Sequence, residues 1–394
     1  MRAALFITAA LLVIPAAYAQ SVHSTQHQTG SAESQTSVDI GESGDVGVTA
    51  VASGNVVTTA AANSDADLDN TQQMDGETSA SADASVWEAD GNVAITSAAI
   101  ANGATASSSG GNLSVDSRQT ATNNVTATAS YSGDTAWSAG VSAAAGANTN
   151  ATSAEYGEVR LRGTQDSTGA VVAETHADLC CTSVVVSGAV ASANNVTAGG
   201  YTTTMLTDTT QHASGAVQAY SDVYADAADE VSGNATANGN SVAIDNQFGY
   251  VNARSEQRSS ADVTAQSYVT LGDDFGSLAS AGAYGVGNQA NVSNAGSDTV
   301  MATEQSNAGN VFADAAVSGG AGASLASSAA YGNSVSGSLC GYCDTDAPGL
   351  TADNNQVNSG DVRAHSSVTA SRSDLVATTS TAIGNAATYQ SNGS

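Results

Sequence analysis

The chain has 394 residues and a formal net charge of −29, with 37 acidic residues set against eight basic ones, every one of them Arg. A surface this acidic repels phosphate backbones, whose binding depends on Lys and Arg, and nucleic acid is excluded as a partner. Aromatic residues are only 5% of the chain and Ala, Ser, Thr, Gly, Asn, Asp and Val dominate, which excludes two or three ordinary domains built on large-residue cores. Two organisations remain, a disordered chain or a solenoid with a thin core of small side chains. The scarcity of proline, Pro15 and Pro348 alone, argues against a disordered tail.

In chain order, the first element is an export signal. Arg2 supplies a positive start, Ala3 to Val13 an apolar run, and Ala17-Tyr18-Ala19 a small-residue cleavage site ahead of Gln20. Residues 1–19 are expected to be removed between Ala19 and Gln20. The run is shorter than the roughly 20 residues a membrane-spanning helix needs, and no later segment reaches that length without polar residues. Residues 20–394 are therefore expected to form one exported domain without a transmembrane helix.

That domain repeats. Asn follows a small residue at Asn55, Asn102, Asn148, Asn194, Asn240, Asn288, Asn333 and Asn385, at spacings close to 46. A Gln stands 17 residues after almost every one, at Gln72, Gln119, Gln165, Gln211, Gln257 and Gln305. Gln356 comes six residues late, behind the Cys340-Gly341-Tyr342-Cys343-Asp344-Thr345-Asp346-Ala347-Pro348 stretch, which reads as an insert in the seventh repeat. Gln26 opens the array. Val125, Val171, Val217, Val263, Val311 and Val362 follow the Gln by six, with Ala two residues further on. Ahead of the Gln, Leu113 and Val115, Val159 and Leu161, and Val251 and Ala253 alternate with polar residues, the period-two pattern of strands that bury one face. Asn102-Gly103, Gly110-Gly111 and Gly199-Gly200 read as turns.

The fold expected is all-β, a repeat β-solenoid or β-helix of about eight 46-residue repeats. Each repeat is either one large coil or two of about 23 residues. At about 4.8 Å per stacked strand these give rods of roughly 40 or 75 Å. The recurring amides are expected to form ladders, each bonding its copy in the next coil: Asn102, Asn148, Asn194, Asn240, Asn288 and Asn333 in one, Gln119, Gln165, Gln211, Gln257, Gln305 and Gln356 in the other.

Chemistry-bearing residues are few. A four-cysteine zinc site wants two spaced pairs. Cys180 and Cys181 are adjacent, and they fall four repeats from Cys340 and Cys343, which a solenoid separates by roughly 20 Å. In an oxidising compartment a Cys340–Cys343 disulfide is expected to pin the insert, while Cys180-Cys181 form a strained vicinal bridge or pair with another molecule. Asp65-x-Asp67-x-Asp69 resembles the start of a calcium loop, but positions 70 and 76 would need Gly and Glu and hold Asn70 and Gly76. Those carboxylates are expected to face solvent. Asp344 and Asp346 form a second such candidate, and His23, His27, His176, His212 and His365 lack ligand spacing. Arg118, Arg160, Arg162, Arg254, Arg258, Arg363 and Arg372 cluster about the Gln position in successive repeats, as architecture would place them and as a catalytic centre would not. No catalytic residue, metal or cofactor is assigned, and a polysaccharide-degrading β-helix enzyme is the remote alternative.

The signal, the Ala/Thr/Ser/Val-rich body and segments such as Ala382-Ile383-Gly384-Asn385-Ala386 and Gly332-Asn333-Ser334-Val335 make the chain resemble the holdfast anchor protein D family. The resemblance covers essentially all of the mature chain. It implies a surface protein, associated with the outer membrane, that tethers an adhesive polysaccharide to the cell. It also implies a curlin-like anchor subunit and an outer-membrane secretion pore as partners. The Gln and Asn repeats are similar in style to curlin amyloid subunits, at about twice the repeat length, which makes a self-polymerising fibre subunit the alternative.

Overall fold

The computed structural model describes residues 20–272, 276–341 and 348–392, so the expected signal segment and most of the expected insert lie outside it. Among the described residues there are nineteen strands and no helix. The first coil is β1 (Gln20–Gln28), β2 (Ala32–Ser43) and β3 (Val46–Ala62), and the second is β4 (Ala66–Met74), β5 (Thr78–Ala89) and β6 (Asn92–Ser109). After β7 (Leu113–Ala121) the strand conformation runs on around the corners in β8 (Val125–Ser167), β9 (Val171–Ala213) and β10 (Val217–Gln247). Shorter strands then resume: β11 (Val251–Ser259), β12 (Val263–Leu271), β13 (Gly276–Ala295), β14 (Thr299–Asn307), β15 (Val311–Ser318) and β16 (Ala321–Cys340). The last rung is β17 (Leu350–Asn358), β18 (Val362–Thr369) and β19 (Leu375–Asn392).

Every strand before the last rung pairs in parallel with the strand one repeat further on. Gln20 of β1 lies beside Ala66 of β4, Ala32 of β2 beside Thr78 of β5, and Val46 of β3 beside Val93 of β6. The register carries Gln26 through Gln72, Gln119, Gln165, Gln211, Gln257 and Gln305 to Gln356, a stack of eight rungs among the described residues. One repeat is thus one coil with three walls, and the alternative of two half-size coils falls. A coil of two 23-residue turns would pair residues 23 apart, and the pairs are about 46 apart. Eight rungs at about 4.8 Å make a rod of roughly 40 Å.

The alternation that marked the strands is the alternation of burial. In β4, Ala66, Leu68, Asn70, Gln72 and Met74 point inward while Asp67, Asp69 and Gln73 point out. Besides the corners, it breaks in the middle of the third wall. Ala101 and Asn102 are consecutive and both buried, and the pairing register steps over the small residue before each Asn. There the wall bends inward and leaves room only for Gly or Ala: a Cβ on Gly332 would lie 2.5 Å from the Gly384 carbonyl oxygen. Asn102-Gly103, expected as a turn, is this mid-strand bend, whereas Gly110-Gly111 is a true turn with Gly110 at φ +79°.

The bend splits the interior in two. One apolar cluster fills the space between the second wall and the first half of the third, with Val48, Ala82, Ile95, Val125, Ala127 and Val141 among its members. The other lies between the far half of the third wall and the start of the first, with Leu68, Leu113, Leu161, Met205 and Ile244. Between them run two buried amide columns. Asn55 Nδ2 donates to Asn102 Oδ1 at 2.9 Å, and the same bond repeats at 2.7–2.9 Å through Asn148, Asn194, Asn240, Asn288 and Asn333 to Asn385. Gln72 Nε2 donates to Gln26 Oε1 at 2.8 Å, and that column continues through Gln119, Gln165, Gln211, Gln257 and Gln305 to Gln356. Asn donates toward the following rung and Gln toward the preceding one. The second proton of each amide goes to a carbonyl on the facing wall, as in Asn194 to His212 O and Gln211 to Ser241 O.

Removing a ladder amide strands its partners. Asn194→Ala leaves the Asn148 Nδ2 proton, the Asn240 Oδ1 and the His212 carbonyl unpaired in the interior, at about 1–3 kcal/mol for each buried group. Urea denaturation is expected to show a midpoint well below that of the parent for Asn194→Ala and a far smaller change for Asn385→Ala, which sits on the open last rung.

Candidate functional site

With the interior given over to packing and amide ladders, recognition falls to the outer walls. The first wall (β1, β4, β7, the ends of β8 and β9, β11, β14 and β17) displays Arg118, Arg160, Arg162, Arg254 and Arg258 among Asp67, Asp69, Asp116, Asp208 and Glu256. Five of the seven arginines expected near the Gln column do stand on its wall. Arg363 lies on β18 of the second wall, and Arg372 between β18 and β19. The pairs these cations make are exposed, Arg160 with Glu158, Arg258 with Glu256 and Arg363 with Asp361, each partner two residues earlier in the chain. Exposed pairs of this kind contribute little stability.

All five histidines meet an aspartate from a neighbouring rung: His23 with Asp69 at 2.9 Å, His27 with Asp75 at 2.8 Å, His176 with Asp222 at 3.4 Å, His212 with Asp166 at 3.0 Å and His365 with Asp314 at 2.8 Å. Hydrogen bonds from His27, Gln73 and Thr122 hold the Asp75 carboxyl below the usual carboxylate range. The sequence signal for these pairs was a His and an Asp about one repeat apart, visible only once one repeat is known to be one coil.

Asp67 and Asp69 face solvent on β4, as expected, and Asp65 sits in the preceding turn, where its Oδ1 accepts the backbone N–H of Asn112. Among the described residues no group of three or more His, Cys, Asp or Glu is placed to hold a metal ion. Asp344 and Asp346 lie outside the described residues.

The third wall differs from the other two. Between the corner and the bend its outward side chains carry no charge on any rung, from Gly47, Thr49, Val51 and Ser53 on the first to Ala377, Thr379, Thr381 and Ile383 on the eighth. Val51, Val186 and Val190 are exposed there, and the rings of Tyr284 and Tyr331 meet at a tilt of 46° with centroids 5.8 Å apart.

At the corner between the second and third walls stand the two tryptophans, Trp87 on the second rung and Trp137 on the third, each 69% exposed. Neither is a local packing residue. Trp87 borders a groove of about 350 Å³ shared with Asp39, Gly41, Ser85, Ser132 and Asp134. Beneath it, the hydroxyl of Tyr131 is buried without a hydrogen-bond partner among the described residues, and a Cβ on Gly133 would lie 2.5 Å from it. An aromatic face flanked by two carboxylates and two hydroxyls, with glycine in the wall, offers stacking and hydrogen-bonding groups to a flat polar ligand. Only the exposed corner singles the tryptophans out.

Along the same corner, Cys180 and Cys181 bring their Sγ atoms to 2.7 Å. They stand on the fourth rung and Cys340 on the seventh, three rungs or about 15 Å apart along the axis, with the width of the third wall separating them as well, because Cys340 ends that wall. Cys340 is exposed at the end of β16; Cys343, and with it the expected Cys340–Cys343 bridge, lies outside the described residues. The neighbouring Cys181 thiol, with burial and Asp134 adding to its effect, pushes the Cys180 thiol up to about 12. Because the thiolate is the nucleophile, reduced Cys180 is expected to alkylate with iodoacetamide at pH 8 far more slowly than an ordinary thiol, and to speed up in Cys181→Ala. Peptide mass spectrometry would read both.

No curated protein and no solved structure matches the chain at a significant level. A family model does. The model described as Holdfast attachment protein D matches residues 40–311, from the end of β2 to the start of β15. That span is well over half of the chain and runs through the ladder-bearing rungs. The role in the family's description is attachment, and a stacked rod with its outer walls free to touch other molecules is a form suited to that role. By this match the chain belongs to the holdfast attachment protein D family.

Proposed function

We propose that this protein anchors an adhesive polysaccharide, the holdfast, to the outer membrane of the cell that secretes it, and that it does so as an exported cell-surface rod without a catalytic step. The observation that carries the reading is the family match to a holdfast attachment protein. The surface supports it: an uncharged strip, the half of the third wall before the bend, runs along the rungs of a chain of net charge −29, edged by two exposed tryptophans. A polysaccharide can lie along such a wall without facing carboxylates on every rung, and its sugar rings can stack on the indoles. Retention at the membrane is assigned to a curlin-like anchor subunit and a secretion pore, as the family resemblance implies.

A strain lacking the gene is expected to shed its adhesive into the medium and lose surface attachment; a strain that keeps its adhesive contradicts the anchoring role. Because both indoles are exposed, Trp87→Ala with Trp137→Ala is expected to leave the fold intact and to weaken retention of the purified protein on immobilised holdfast glycan roughly thirtyfold, in line with about 1 kcal/mol for each indole that no longer stacks on a sugar ring. Release of new reducing ends from that glycan would instead identify an enzyme.

A further inference from the structure

We propose, resting on the reading of this surface as one that binds polysaccharide, that the groove beside Trp87 takes a sugar ring carrying a protonated amine.

The groove crosses the first three rungs at the corner between the second and third walls. On its outer face Asp39, Ser85 and Ser132 stack in register, and two residues further along the chain come Gly41, Trp87 and Asp134. A Cβ on Gly41 would meet nothing within 4 Å, so the rung ahead of the indole leaves its space open. The indole and the two serine hydroxyls would suffice for a neutral sugar.

The groove adds charge of one sign. Asp39 and Asp134 line it, Glu88 and Asp90 stand further along the rung of Trp87, and the corner segments of the first four rungs (residues 40–46, 86–93, 133–139 and 179–185) hold no Arg or Lys. Elsewhere the outer acids meet cations, as Glu158 meets Arg160, Glu256 meets Arg258 and Asp69 meets His23. Among the described residues neither Asp39 nor Asp134 forms an ion pair, and Asp134 meets the Cys180 thiol instead. A cation set over an indole is attracted by the ring, and carboxylates beside it add to that attraction. An acetamide or a hydroxyl in the same place gains neither.

A second observation also points to a ligand in this groove. Tyr131 is only 1% exposed, and its hydroxyl ends against Gly133 in the groove wall without a hydrogen-bond partner among the described residues. A buried hydroxyl left open is costly, and glycine at 133 is what lets it come so close, since a Cβ there would lie 2.5 Å away. Burial pushes the phenol above its ordinary range, so it keeps a proton to donate to a ring oxygen.

Hexamers of glucosamine and the same hexamers N-acetylated differ only at the amine, and titrating both into the purified protein at pH 6 tests this. Both tryptophans of the chain stand at this corner, so indole fluorescence reports binding there. The glucosamine hexamer is expected to bind about tenfold more tightly than the acetylated one. Asp39→Asn and Asp134→Asn are each expected to weaken it about fivefold, and together to bring the two hexamers within about twofold of each other, with thermal unfolding unchanged. Asp67→Asn with Asp69→Asn, on the first wall, is expected to keep the preference. Equal binding of the two hexamers, or binding of neither, overturns the proposal. So does a preference that the first-wall variant loses or the groove double variant keeps. A hexalysine peptide that binds as tightly as the glucosamine hexamer overturns the assignment to a sugar. Retention on immobilised holdfast glycan, before and after N-acetylation, separates this site from the anchoring role. Retention that acetylation leaves unchanged sinks the amine and spares the anchor. No retention on untreated glycan, with the hexamer preference intact, sinks the anchor and spares the amine.

Discussion

The structure depends on one constraint: an amide buried in the middle of a rung has to find its own copy on the next. Asn194 and Gln211 are almost fully buried, and a primary amide brings two protons and an oxygen into a space that otherwise holds methyl groups. Each can be satisfied only by the identical residue about 4.8 Å along the axis and a carbonyl on the opposite wall. Slipping one rung by a single residue would turn the amides outward and bury the row beside them. The columns therefore set the register for every wall at once.

Their opposed polarity has structural consequences. The Asn column donates in one direction along the axis and the Gln column in the other, so the two rows of aligned dipoles offset rather than add. Each column also ties the first wall to the bend of the third, across the boundary between the two apolar clusters. A core made largely of Ala and Val buries little area per residue. Cross-ties that also satisfy carbonyls at the bend let so thin a core hold three walls in place.

With order provided from within, the outer walls vary from rung to rung. Charge collects on the first and second walls, where acid, Arg and His meet across rungs, and is missing from half of the third. The chain thus combines high net charge with a continuous neutral strip, and the exposed indoles lie at the edge of that strip. An attachment protein can use such a division, one set of walls well hydrated and another free to bind.

A great deal of this was legible in the residues alone. The Asn and Gln positions, their 17-residue offset, the burial of Leu113 with Val115 and of Val159 with Leu161, and the late seventh Gln all follow from repetition, because a stacked fold writes its axial period into the chain. Local punctuation was less reliable. Asn102-Gly103 has the composition of a turn yet serves as a bend inside a strand, since a small residue ahead of a buried Asn and a turn dipeptide look alike in one dimension. Tertiary structure alone decided that a repeat is one three-walled coil and not two smaller ones. It decided too that every histidine would face an aspartate, that Trp87 and Trp137 would stand in solvent, and that the two amide columns would donate in opposite directions. These are meetings between residues about 46 apart, and nothing in the chain states which of them come together until the coil has closed.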